Sequence, residues 1–104
     1  MAQERERPGA GTLDDTSTKT QLPHLYKVIL HNDDYTTMDF VVSVLETVFL
    51  KGPAEAYRIM MLVHTTGAGV CGLYPFEIAE TRASAVHELA RENGFPLRAS
   101  VEPE

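Results

Sequence analysis

Several residue types are scarce in this chain of 104 residues, and each scarcity argues against a class of protein. The single cysteine, Cys71, cannot form an internal disulfide, and no paired Cys and His spacing predicts a structural zinc site, so a reducing compartment is expected. Nine Lys and Arg residues against fifteen Asp and Glu give a net charge of −6. That balance argues against binding the phosphate backbone of a nucleic acid, and partners are expected to be neutral or cationic.

Long apolar runs and phosphate-binding motifs are also missing. No stretch approaches the roughly 18 apolar residues that span a bilayer, and the N-terminus lacks the apolar region of a signal peptide, so no membrane contact and a cytoplasmic location are expected. There is no Gly-rich phosphate loop. Residues 1–23 hold few large apolar side chains and are predicted to form a flexible tail, followed by one folded domain over residues 24–104.

Apolar periodicity predicts the first half of that domain. Tyr26, Val28 and Leu30 alternate on one face of a strand over residues 25–30. The spacing then becomes helical over about residues 37–50, and Pro53 suits the first turn of a second helix that runs to about residue 65.

A second strand, a third helix and a last strand complete the predicted order β-α-α-β-α-β. The sequence VCGLYPF indicates the strand, and the helix begins near Glu77 and stops at Gly94. Its predicted apolar side comprises Ile78, Ala79, Ala85, Val86 and Leu89. The alternation of Leu97, Ala99 and Val101 marks the last strand. The predicted fold class is α+β, a two-layer domain with three helices on a small, largely antiparallel three-stranded sheet.

Polar side chains cluster where the first strand gives way to the first helix, in the sequence LHNDDYT. Thr36 is predicted to cap the helix, with Asp39 as the acidic member of a capping box. One cap does not account for Asn32, Asp33 and Asp34. These three residues either form the turn by bonding to their own backbone or bind a ligand.

His64 and Met60 stand one helical turn apart on the second helix and share a face. A histidine near a helix C-terminus can interact with the last carbonyls, so capping is one interpretation of His64. Met60, Met61 and Val63 have an equally simple interpretation as core residues. Methionine is also a side chain that adapts to varied apolar guests.

Two catalytic alternatives involve the same residues. A metal site, as in a small metal-dependent hydrolase, would use His31, Asp33, Asp34 and His64, with Cys71 as an optional further ligand, although no two of these positions have a known ligand spacing. A nucleophilic role for Cys71 is disfavoured because it lies inside a predicted strand, where a thiol behaves as a small apolar side chain. The remaining chemistry is a group of hydrogen-bond acceptors beside apolar residues, which suits an ammonium group attached to a hydrophobic one.

The strings YKVILHNDDYTTMDFV, MMLVH, GVCG, EIAETR and ENGFPL occur in an order and spacing that resemble the ClpS family, the adaptors of the bacterial N-degron pathway. The resemblance covers residues 25–101. It implies a non-enzymatic, monomeric adaptor without a cofactor, which binds substrates that begin with Leu, Phe, Tyr or Trp. It further implies delivery of those substrates to the N-terminal domain of a ClpA-type AAA+ unfoldase working with the ClpP peptidase.

The same resemblance implies roles for individual residues. Asn32, Asp33 and His64 match the positions that hold the α-amino group and the first peptide unit. Positions around the side-chain pocket are matched by Asp34, Thr36, Met38, Val41, Met60, Val63 and Leu97. Met38 stands where family members exclude β-branched residues. Glu77 and Arg82 match the surface that contacts the unfoldase, although an exposed helix face would explain both equally well.

Three further features bear on the resemblance. Residues 1–23 resemble the family's N-terminal extension, which takes part in substrate handoff. Thr37 replaces a usual proline, which is tolerable because the first helical position does not require one. His31 replaces a usual aliphatic residue, so a more polar pocket wall and an altered preference among the four first residues are expected. The remaining alternative is a generic interaction domain with no specificity for a peptide terminus.

Overall fold

The computed structural model describes residues 24–104, and the predicted tail at residues 1–23 lies outside the described part. Its elements are β1 (Tyr26–His31), α1 (Met38–Thr47), α2 (Pro53–Thr66), β2 (Ala68–Tyr74), α3 (Phe76–Asn93) and β3 (Arg98–Pro103). The strands form one sheet in the order β2-β1-β3, and both pairings are antiparallel. The predicted α+β fold class and element order are therefore confirmed.

The core lies between the sheet and the three helices. Val28 and Leu30 on β1 are completely buried, as the alternating pattern predicted. Helix α1 packs on α2, α2 packs on β2, and α3 packs across β1 and β3. Within residues 24–104, none of the helices combines the length and apolarity that crossing a membrane requires.

The cap of helix α1 lies one residue later than predicted. The cap is Thr37, whose Oγ1 accepts a hydrogen bond from the backbone N–H of Phe40 at 3.1 Å. Thr36 lies one residue before the cap, and its hydroxyl donates to Oδ2 of Asp33. The prediction of Thr36 as the cap is wrong, and Thr37 is the cap rather than the first helical residue. The helix also ends earlier than predicted, at Thr47, and Leu50 adopts a left-handed φ of 57°.

The apolar side of α3 also differs in part from the prediction. Its buried residues are Ala79, Ala83, Val86 and Ala90. Their spacing of three and four residues keeps them on one face of the helix. Ile78 precedes Ala79 by one residue, about 100° around the helix, and it is exposed. The prediction that Ile78 faces the core is wrong.

Candidate functional site

The turn between β1 and α1 is built around the carboxylate of Asp33. Its Oδ1 accepts hydrogen bonds from the backbone N–H groups of Tyr35 at 2.8 Å and Thr36 at 2.7 Å. Its Oδ2 accepts one from the Thr36 hydroxyl, also at 2.7 Å. The turn-forming interpretation is therefore confirmed for Asp33, whose ionised carboxylate still has acceptor capacity on Oδ2.

These hydrogen bonds also determine the charge of Asp33. Partial burial disfavours the ionised form, but the bonds from Thr36 and Tyr35 outweigh that cost and hold the pKa of Asp33 below its ordinary value of 3.8. The turn consequently carries a fixed negative charge at neutral pH.

Asn32 connects this turn to the end of α2. Its backbone N–H donates to the carbonyl of Gly67 at 2.9 Å, and Gly67 caps α2 with a left-handed φ of 97°. The side chains of Asn32 and Asp34 are exposed and form no hydrogen bond to any residue in the range 24–104. The amide and the second carboxylate are thus accessible to a ligand.

His64 lies in the last turn of α2, three residues before Gly67. Its ring makes no hydrogen bond within the described range. The hydroxyls of Thr65 and Thr66 donate to Met61 and Leu62, and the N–H of Gly67 donates to Val63. Direct capping of α2 by the His64 side chain is therefore absent, and the ring is exposed at the helix end that the Asn32 turn contacts.

The apolar residues predicted for a side-chain pocket divide into two groups. Four lie in the same buried cluster and are at most 6% exposed: Val41, Met60, Val63 and Leu97. Met38 at the start of α1 is 43% exposed. Thr36 is half-buried and Asp34 is exposed, both on the turn before α1.

Gly69 on β2 contributes to this cluster through its missing side chain. A Cβ at Gly69 would lie 2.9 Å from Cγ2 of Val63 and 3.4 Å from the carbonyl oxygen of Ile59. Only glycine allows the strand to approach α2 so closely. The sequence gave no sign of this contact.

A cavity of about 130 Å³ opens beside the turn between β1 and α1. Its walls are formed by His31, Asn32, Asp33, Pro96 and Arg98. None of the predicted side-chain pocket residues lines it, although Leu97 lies between two residues that do. The sequence reasoning missed Pro96 and Arg98, because nothing in their local pattern places them beside a turn more than sixty residues earlier.

His31 belongs to this cavity and not to the apolar cluster. Its Nε2 lies 2.7 Å from Oγ of Ser100 on β3. Consecutive strand residues point to opposite faces, so the ring lies on the face away from Leu30, which is fully buried. The expectation that His31 makes the pocket wall more polar therefore finds no support in its position.

The catalytic alternatives lack the geometry they require. In the part of the chain described, no three His, Cys, Asp or Glu side chains come close enough to hold a metal ion. Cys71 is 1% exposed, and burial raises the pKa of its thiol to about 12. Such a thiol is a poor nucleophile at neutral pH, so the interpretation of Cys71 as a core residue is confirmed.

Comparison with known proteins decides the family. A protein-family model described as "ATP-dependent Clp protease adaptor protein ClpS" matches residues 21–100, which include the turn, α2 and all five residues that line the cavity. The chain belongs to the ClpS family. The ClpS adapter of Desulfotalea psychrophila is 48% identical over the full length of both chains. That of Desulfatibacillum aliphaticivorans is 54% identical over 92 residues, which are 88% of each chain.

A solved ClpS structure shares the fold. It is that of Agrobacterium tumefaciens ClpS2 bound to L-phenylalaninamide, with a TM-score of 0.77 and 44% identity. The match covers 80% of this chain and 100% of that chain.

The two residues predicted to contact an unfoldase, Glu77 and Arg82, occupy different environments. Glu77 is exposed in the first turn of α3. Arg82 is half-buried, donates through Nη1 to the carbonyl of Val48 at 3.2 Å, and lies 5.7 Å from the centre of the Tyr74 ring. An exposed helix face therefore describes Glu77 but not Arg82, which binds the C-terminal end of α1 to α3.

Replacing Arg82 with alanine is expected to lower the free energy of unfolding by about 1.5–3 kcal/mol, the usual contribution of a hydrogen bond to a charged group. Urea unfolding followed by circular dichroism measures this change. Arg91→Ala is the matched control, because Arg91 is exposed on the same helix, and we expect a loss below about 1 kcal/mol. Equal losses in the two variants would refute the structural role of Arg82.

Proposed function

We propose that this ClpS-family protein is a non-enzymatic adaptor that binds substrates through an N-terminal Leu, Phe, Tyr or Trp. The observation that carries the proposal is the position of a negatively charged, ligand-accessible turn at the end of α2, the helix that contributes Met60 and Val63 to the apolar cluster. An α-ammonium group and a large apolar side chain occur together at only one place in an ordinary polypeptide, its first residue. The L-phenylalaninamide bound to A. tumefaciens ClpS2 has both groups.

In this proposal the α-ammonium group is held by Asn32, Asp33 and His64. Asp33 has one carboxylate oxygen with spare acceptor capacity, while the Asn32 amide and the His64 ring are exposed nearby in the fold. Asp34 adds an accessible second carboxylate to the same turn. The combined negative charge of this turn favours a cation, and the polar groups of Asn32 and His64 supply the directional hydrogen bonds.

The side chain of the substrate's first residue is proposed to enter the apolar cluster past Met38. Val41, Met60, Val63 and Leu97 would surround it, and Thr36 and Asp34 would form its rim. Among the apolar residues of this set, Met38 is the most exposed to solvent, since the other four are at most 6% exposed. At that position Met38 would exclude first residues whose side chain is branched, and therefore wide, at the Cβ.

The expected affinity follows from adding these interactions. Burial of a large apolar side chain contributes roughly 2–3 kcal/mol. Two or three hydrogen bonds to a charged group contribute about 1.5–3 kcal/mol each. Association costs at least about 4 kcal/mol in lost freedom of motion, so neither half of the site is sufficient alone. Binding is consequently moderate, and the substrate can be released to the next component.

Delivery is proposed to proceed to the N-terminal domain of a ClpA-type AAA+ unfoldase associated with the ClpP peptidase. Glu77 is the exposed charge that we assign to this contact, and Arg82 contributes chiefly by fixing α3 against α1. Action as a monomer, a cytoplasmic location and a role of residues 1–23 in handoff remain sequence-based predictions.

The experiment that tests this function is a fluorescence binding series with peptides that differ only in residue one. Peptides led by Leu, Phe, Tyr or Trp are expected to bind, and peptides led by Ala, Ser, Val or Ile are not. Equal affinity across the series would contradict the proposal and favour a generic interaction domain.

Replacing Met38 with alanine is expected to broaden the selectivity toward peptides led by Ile and Val, because the gate near the Cβ of the first residue is removed. We expect their affinity to rise by about fivefold to tenfold relative to that of the Leu-led peptide, equivalent to about 1–1.4 kcal/mol. Leu62→Ala is the control, since Leu62 is similarly exposed on α2 and lies outside the proposed pocket. Unchanged selectivity in Met38→Ala would show that Met38 is not the gate.

A further inference from the structure

The cavity beside the turn is lined in part by a positively charged side chain, that of Arg98, which has no role in the proposed function. Arg98 is the first residue of β3, and the register pairs it with His31, the last residue of β1. Directly paired residues hold their Cβ atoms about 4.5–5.5 Å apart on one face of a sheet. Asn32 and Asp33 continue from His31 into the same cavity, so Arg98 lies beside the turn that binds the α-ammonium group in our proposal.

Arg98 has no internal partner in the range 24–104. Arg58 is ion-paired with Glu55, and Arg82 binds the carbonyl of Val48. Arg98, by contrast, is exposed and forms neither an ion pair nor a side-chain hydrogen bond with any described residue. Asp33 lines the same cavity without forming an ion pair to Arg98, because its carboxylate faces the N–H groups and the hydroxyl of the turn.

The size and composition of the cavity limit what it accepts. A volume of about 130 Å³ corresponds to roughly four water molecules, which is enough room for a carboxylate group. A guanidinium group presents paired N–H donors that match a carboxylate, and the neighbouring imidazole of His31 adds a polar edge. The negative charge of Asp33 at the turn and the positive charge of Arg98 at β3 together suit a ligand that carries both an ammonium and a carboxylate.

We propose that Arg98 is a specificity-determining residue that favours ligands with a carboxylate within one residue of the α-ammonium group. This inference rests on the proposed function, because the turn must hold the α-ammonium group for the carboxylate to reach the cavity. One residue of extended chain spans about 3.4 Å, which allows an acidic side chain at the second position to reach Arg98. The free carboxylate of a released amino acid is the other source of the same chemistry.

A double-mutant design tests the inference. Binding of two Phe-led, C-terminally amidated peptides with Glu or Gln at the second position is measured for the unmodified protein, Arg98→Gln and Arg91→Gln. The unmodified protein is expected to prefer the Glu peptide by about twofold to fivefold, the range of a partly exposed ion pair, and the preference should shrink with added salt. Arg98→Gln should abolish the preference, and Arg91→Gln should keep it, because Arg91 is also exposed but lies outside the cavity.

A second arm separates the two sources of the carboxylate. Free phenylalanine and phenylalaninamide compete with a labelled Phe-led peptide for the same three proteins. A preference for free phenylalanine that depends on Arg98, without a preference for the Glu peptide, supports the inference and assigns the carboxylate to released amino acids. If the unmodified protein shows both preferences and Arg98→Gln loses both, the inference is supported, and Arg98 binds the carboxylate from either source.

The outcomes also separate this inference from the proposed function. If Phe-led peptides bind and neither carboxylate preference depends on Arg98, the inference is overturned and the proposed function stands. If Phe-led and Ser-led peptides bind equally or not at all, the proposed function fails and this inference fails with it. Unfolding midpoints of the variants confirm that each protein is folded.

Discussion

Acetylating the α-amino group of a Phe-led peptide is expected to weaken binding by at least about 100-fold. Acetylation removes the positive charge and leaves one N–H of the three that Asn32, Asp33 and His64 would engage, and each bond to a charged group contributes about 1.5–3 kcal/mol. It also places a neutral amide against a carboxylate whose pKa is held below 3.8, so the turn stays charged and gains no new donor. Fluorescence anisotropy with matched free and acetylated peptides measures the difference.

The control for this prediction is a peptide of the same sequence acetylated on a lysine far from the N-terminus. It loses one positive charge in the same way, but its affinity should change less than about twofold, because a distant exposed charge is screened by salt. Equal weakening by the two modifications would mean that the protein responds to overall peptide charge. Equal binding of the free and N-acetylated peptides would contradict recognition of the terminus.

Replacing Asp33 with alanine is expected to weaken binding of Leu-, Phe-, Tyr- and Trp-led peptides alike, by about 10- to 100-fold. The substitution removes one acceptor for the α-ammonium group and also the three hydrogen bonds that fix the turn. A uniform loss is expected because all of these peptides present the same α-ammonium group to the turn. The binding series with peptides that differ in residue one provides the measurement.

Two further variants separate direct contact from positioning. Thr36→Val removes the hydroxyl that donates to Oδ2 of Asp33 and leaves the carboxylate in place, so it should weaken binding less than Asp33→Ala. Asp34→Ala removes an exposed carboxylate that bonds to no described residue, so any loss of binding reports on the ligand and not on the turn. A loss in Asp33→Ala confined to one class of first residue would contradict the assignment.

The lowered pKa of Asp33 also fixes the pH range of the turn. A carboxyl whose pKa is lower in the folded than in the unfolded state stabilises the fold fully above the unfolded value, here 3.8, and less as the pH falls through the folded pKa. The turn should therefore persist from neutral pH down to about pH 4 and loosen on further acidification.

The fold was predictable where one face of an element is buried and the other is exposed to solvent. Val28 and Leu30 alternate with less buried neighbours, and Gly94 ends α3 as its position predicted. The cap of α1 was not predictable in the same way, because adjacent Thr36 and Thr37 can both serve as caps. The choice depends on which hydroxyl Asp33 engages, and that is a property of the three-dimensional turn.

The candidate site was predictable only in part. The turn residues and the apolar spacing on α2 are local features, so sequence patterns and the family resemblance identify them. Gly69 and Arg98 acquire their environments from strand pairing and helix approach, which bring together residues far apart in the chain. His31 illustrates the same limit, since its departure from the family pattern is visible in the sequence but its orientation toward Ser100 is not.

A crystal structure of the protein with a Phe-led peptide tests the central claim most directly. The account predicts that the α-ammonium group lies within hydrogen-bond distance of Asn32, Asp33 and His64, with the phenyl ring among Val41, Met60, Val63 and Leu97. A peptide bound elsewhere, with the turn between β1 and α1 free of ligand, would contradict it.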